Sequence, residues 1–144
     1  MSGSAMADAL ITMLSATSCF GASMVSKNSY QILEQASGSA AIVVWRNFTS
    51  VPTAFGNATA KDIVWTFEVT AFCKDTGDPQ TLLNMTFAAV DVILNCLKAD
   101  DTLQGTAENV VTIRGSRKPD EIVSAGGATW LPISVEVDAK EFYQ

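Results

Sequence analysis

The stretch DIVWTFEVTAFCKDTGDPQTLLNMTFAAVDVILNCLK, residues 62–98, changes its hydrophobic period partway along. In its first third Ile63, Trp65, Phe67, Val69, Ala71 and Cys73 alternate with Asp62, Val64, Thr66, Glu68, Thr70 and Phe72, the period of a strand with one buried face and one largely polar face. Asp78-Pro79 then reads as a helix start. The aspartate can accept hydrogen bonds from free N–H groups of the first turn, and proline suits the first helical position. The helix should run to about Lys98. At 100° per residue its polar side is narrow, holding Asn84, Asp91, Asn95 and Lys98, while apolar residues from Leu82 to Leu97 cover the rest. That arc is wider than one sheet can cover, so a second element or subunit is expected against it, with Leu83, Phe87 and Leu94 as candidate oligomer-interface residues.

Outward from this pair, Ala7, Leu10, Ile11, Leu14 and Thr17 form one stripe of an amphipathic first helix, with Asp8, Thr12, Ser15 and Cys19 opposite. A β-rich run, residues 40–46, leads into a loop with Pro52 and Gly56. Beyond Lys98, Asp100 and Asp101 sit between the helix and Gly105. No further carboxylate follows until Glu108, and the spaced oxygen ligands of a calcium loop are missing, so the pair reads as a turn rather than a metal or acid–base site. Val111 and Ile113 alternate with Thr112 and Arg114 as a strand. After a long glycine-rich loop to Thr129, Ile133, Val135, Val137 and Ala139 alternate with Ser134, Glu136, Asp138 and Lys140 as another. The expectation is one α+β domain, with a mostly antiparallel, mixed sheet of about four to five strands under two main helices. Met1 to Ala5 look like an appended leader before a native Met6, leaving 6–144 as the domain.

Composition narrows the chemistry. The 144 residues are 48% hydrophobic and 17% charged, which fits a globular chain. Nine basic against fifteen acidic residues give a net charge of −6, which argues against sequence-specific nucleic-acid binding. Polar residues interrupt every run approaching the ~20 apolar residues of a membrane span, and no export signal is evident, so a soluble protein is expected. Without export, the three Asn-x-Thr triplets at Asn47, Asn57 and Asn84 read as chance. There is no histidine. Cys19, Cys73 and Cys96 are widely spaced, with no zinc pattern, and Cys73 shares the apolar parity of its strand. No phosphate loop, dinucleotide fingerprint or internal repeat is present, so no catalytic, cofactor or metal residue is assigned and no enzyme is expected.

Two charged features remain. Glu68, Glu136 and Asp138 lie on polar sheet faces and are candidates for an acidic wall, with an ordinary solvated face as the alternative. Arg114, Arg117 and Lys118 cluster within five residues at the start of the long loop, as a candidate partner-docking arm or as a solvated hairpin end.

The order of elements, with Ala71-Phe72-Cys73 ending a strand and Leu103-Gln104-Gly105-Thr106 as a Leu-x-Gly-Thr turn, resembles the tail terminator proteins of long-tailed bacteriophages, the group that includes the lambda minor tail protein U. The likeness is architectural and spans residues 6 to 143. It implies a hexameric ring at the head-proximal end of the tail tube, which stops tube polymerisation and offers the surface to which the head joins. It implies the tail tube protein and a head–tail connector or head-completion protein as partners, assembly in the host bacterial cytoplasm, and no catalytic residues. On this reading Glu68, Glu136 and Asp138 would face the lumen. Rival classes are another ring-forming virion component, such as a tube or head-closure subunit, and a small-molecule-binding α+β domain.

Overall fold

The computed structural model describes residues 2–17, 19–20, 25–27, 39–52, 61–75, 77–117, 122–125 and 127–141. The elements follow the order α1 (Ser2–Ser15), β1 (Val25–Lys27), β2 (Ser39–Pro52), β3 (Lys61–Lys74), α2 (Pro79–Ala99), β4 (Asn109–Arg117), β5 (Val123–Ala125) and β6 (Ala128–Lys140). Five strands lie side by side in the order β1-β2-β3-β6-β4, and β5 pairs with β6. All pairings are antiparallel except β1 with β2, which makes the sheet mixed. This is an α+β fold of one sheet and two helices, as its alternating and helical periods lead one to expect.

The alternation in β3 and β6 decides which side carries the helices. Val69 pairs with Val135, Phe67 with Val137 and Trp65 with Ala139. These side chains share one face and join Met6, Leu10 and Leu14 of α1 and Ala89, Ile93 and Leu97 of α2 in a single core. Helix α1 lies over β1 and β2, and α2 over β3 and β6. A smaller cluster of Ala40, Ile42, Phe72 and Trp130 occupies one end of the opposite face.

Helix α2 starts where its sequence demands. Asp78 is the cap, and its carboxylate accepts from Gln80 N–H at 3.1 Å and from the Thr81 hydroxyl at 2.7 Å, with Pro79 next. At the other end Asp100 is the C-cap, and the turn beyond it runs through three successive left-handed residues: Leu103 (φ 48°), Gln104 (φ 58°) and Gly105 (φ 81°). Side chains resist this region, which is why the last of the three is glycine. The turn drives Leu103 fully into the core.

Three expectations change. Helix α1 begins at Ser2, so residues 2–5 belong to it structurally: Gly3 is buried against Trp65, while Cys19 falls in a turn beyond the helix. The long loop after Ile113 is shorter than expected. Gly115 to Arg117 continue β4, and β5 resumes pairing with β6 end to end with β4. Finally, α2 is, by length and mean hydropathy (1.4), apolar enough to cross a membrane, which counting polar interruptions had excluded. In this fold its Thr86, Ala89, Ile93 and Leu97 stripe packs on the sheet, the place of a core-layer helix.

Candidate assembly interface

The paired aspartates are structural. Asp100 Oδ1 accepts from Thr102 N–H at 3.1 Å and from its hydroxyl at 2.6 Å, while Oδ2 accepts from Gln104 N–H at 2.8 Å. These bonds, the Thr102 side chain's foremost, hold the carboxyl below its ordinary range. Asp101 uses its backbone carbonyl to accept from Val110 N–H at 2.8 Å, tying the turn to β4. Among the described residues no group of three or more His, Cys, Asp or Glu is placed to hold a metal ion. Burial raises the pKa of all three thiols, and that of the fully buried Cys73 is pushed up to about 11. Protonated thiols make poor nucleophiles.

The face of the sheet away from the helices carries Glu68, Glu136 and Asp138, but they are not bare. Glu68 and Glu136 are direct cross-strand partners. Arg46 donates to Glu68 Oε2 at 2.7 Å from one side. From the other, Arg114 reaches Glu136 Oε2 at 3.1 Å and Asp138 Oδ2 at 3.0 Å. Thr66 donates to Asp138 and Thr70 to Glu68, and Thr70 also bonds Ser134. An acidic wall is therefore reduced to three carboxylates laced with two guanidiniums. Arg114 also leaves the group in which its sequence neighbours placed it. It is a strand residue anchored across β6, not part of a loop arm. Arg117 ends β4, and its side chain, like all of Lys118, lies outside the described residues.

The excess apolar surface of α2 has a definite location. On the flank towards α1, Met85, Val92 and Cys96 pack against the core, and the Cys96 thiol donates to the Met13 carbonyl at 3.8 Å. On the other flank Leu83, Phe87, Val90 and Leu94 recur at helical spacing. Leu83, Phe87 and Val90, with Thr86, form one wall of a groove of about 350 Å³ whose remainder is Gly115 of β4 and Ile133, Ser134 and Val135 of β6. Phe87 is 62% exposed on its rim. Leu94 is half-buried one turn further on and does not line the groove. The helix layer stops short of β4, whose Ile113 stays exposed although it shares the helix side with its partner Val137.

A second exposed apolar group escaped the sequence reading. Trp45 and Phe48 of β2, 55% and 54% exposed, both lie against Trp65, with ring centroids 5.8 and 5.4 Å away. Strict alternation would send residues 45 and 48 to opposite faces. A bulge at Arg46, unpaired between Trp45↔Phe67 and Asn47↔Thr66, brings them to one. Trp65 is itself fixed, donating its indole N–H to Glu141 Oε1 at 2.9 Å over Gly3 of α1. No protein-family model matches the chain, and no curated protein matches it.

Proposed function

We propose that this chain is a non-catalytic, self-assembling subunit of a phage tail, forming a ring at the head-proximal end of the tail tube that terminates tube growth and receives the head. The observation that carries the reading is the open flank of α2. A helix of 21 residues keeps a second apolar stripe beside an uncovered edge strand, and surface of that kind marks an interface in a chain this small. Identical subunits joined head to tail through such a surface close into a ring when the rotation permits. The resemblance in order of elements supplies the phage context. The partners on this reading are further copies of the chain, the tail tube protein, and a connector or head-completion protein. The weakly acidic sheet face, with Glu68, Glu136 and Asp138, is compatible with a lumen past which DNA slides, and Arg117 and Lys118 are candidates for docking an acidic neighbour.

The test is light scattering of the purified chain over a concentration series, with electron microscopy of the products, followed by addition to polymerising tail tubes. Closed rings that cap tubes at fixed length are expected. Open filaments would instead identify a tube subunit, and a strict monomer that leaves tube growth untouched would overturn the reading.

A further inference from the structure

The two exposed apolar features have opposite shapes. Trp45 and Phe48 project as a rigid aromatic knob on β2 around the anchored Trp65. The groove between α2 and the β6/β4 edge is concave. The register fixes how far apart they are. Trp45 lies in the row of Phe67 and Val137, and Phe48 in that of Trp65 and Ala139, whereas the floor of the groove is Ile133, Val135 and Gly115. The groove therefore sits two to three strands across the sheet, roughly 10 to 14 Å at ~4.8 Å spacing, and as much as ~20 Å further along at ~3.3 Å per residue. Knob and groove cannot meet within one molecule. Neither feature is complementary to itself, so a two-fold contact of either patch with its own copy leaves the shapes unmatched.

We infer that they meet between copies, with Trp45 and Phe48 of one subunit seated in the Leu83–Phe87–Val90–Ile133 groove of the next. The inference rests on the self-assembly reading and names the contact that would drive it. Tryptophan and phenylalanine bury about 150 to 250 Å² each, and rigid aromatics in a desolvated pocket carry much of the energy of an interface. Gly115 supplies the clearance. It pairs with Val135, so a side chain there would point into the groove, and a Cβ on it would meet only ordinary contacts at 3.7 and 3.9 Å. Its backbone is not left-handed, so the groove can be plugged without strain. Knob and groove are different patches, so joining them head to tail makes a heterologous contact, and in a closed ring every knob is seated.

Two variants test this: W45A/F48A removes the knob, and G115F fills the groove. Each alone should keep its circular-dichroism spectrum and be monomeric by native mass spectrometry at concentrations where the parent chain assembles. Mixed, they should form a 1:1 heterodimer and nothing larger, because one good knob and one good groove remain. A variant that still assembles like the parent, a mixture that stays monomeric, or one that regenerates larger species overturns the inference while leaving self-assembly standing. A parent chain that is monomeric throughout overturns both. Should a variant lose its fold, p-benzoylphenylalanine at position 48 in the otherwise unaltered chain gives the same answer: photo-crosslinks to residues 83–90 or 133–135 of another copy support the contact, and crosslinks mapping elsewhere refute it.

Discussion

Glu68 and Glu136 stand directly opposite one another on β3 and β6, and each is neutralised from its outer side by an arginine of the flanking strand: Arg46 on β2 and Arg114 on β4. Like charges face to face across a ladder are unfavourable. The two guanidiniums turn that pair into a four-strand row of alternating sign at its edges. Arg114→Gln should therefore lower the melting temperature by a few degrees, and adding Glu136→Gln should recover part of the loss. A double variant less stable than Arg114→Gln alone would show that repulsion is not what Arg114 relieves.

Both ends of α2 are fastened by carboxylates. The Thr81 hydroxyl and the Gln80 N–H hold Asp78 below its ordinary value of 3.8, and the Thr102 hydroxyl and Gln104 N–H do the same for Asp100. When the folded-state value lies below the unfolded one, the contribution is complete above the unfolded value and disappears as pH falls through the folded one. Thermal melts should accordingly show stability lost on acidification below about pH 4. Asp100→Asn should shallow that dependence and also lower stability at pH 7, since an amide keeps one acceptor oxygen where the carboxylate uses two. Asp101→Asn, whose tie to β4 runs through its backbone, should change little.

Stability and assembly should separate along α2. Ile93 is buried in the core, and Ile93→Ala should cost about 2 to 5 kcal/mol in chemical denaturation. Phe87 is mostly exposed, and Phe87→Ala should shift unfolding of the dissociated chain by less than about 0.5 kcal/mol. The same substitution should weaken oligomers measured by light scattering. Equal effects of the two substitutions on assembly would remove Phe87 from the interface.

The N-terminal helix and the aromatic group are coupled through Gly3, where a Cβ would come within 3.0 Å of the Trp65 ring. Gly3→Leu should cost about 1 to 3 kcal/mol by overpacking. It should also shift tryptophan emission, since the ring cannot keep both its bond to Glu141 and its contact with Phe48.

Local signals carried most of the architecture. Asp78-Pro79 announces α2 because capping involves only neighbouring residues, and the alternation in β3 and β6 is unbroken over their buried spans. The end of β4 was illegible for an equally physical reason: Gly115 reads as loop punctuation, yet here it is a strand residue on the floor of a groove. Strand β1 is three residues long, pairing in parallel with the next strand, and three residues are too few to leave a period. The width of the apolar arc on α2 was visible in its residues. Which flank stays open was not, because that depends on α2 sitting over β3 and β6 rather than over β4.

The bulge at Arg46 acts as a frame change for the surface of the sheet. Everything in β2 after it presents the opposite parity from everything before it, so one residue determines which side of the molecule displays Phe48. A single residue inserted between Asn47 and Phe48, with the bulge kept, would leave composition, charge pattern and hydropathy almost untouched while moving Phe48 to the face of Thr66 and Asp138. Related chains could gain or lose an adhesive face by insertion or deletion alone, and comparisons that score substitutions without tracking register would not see it.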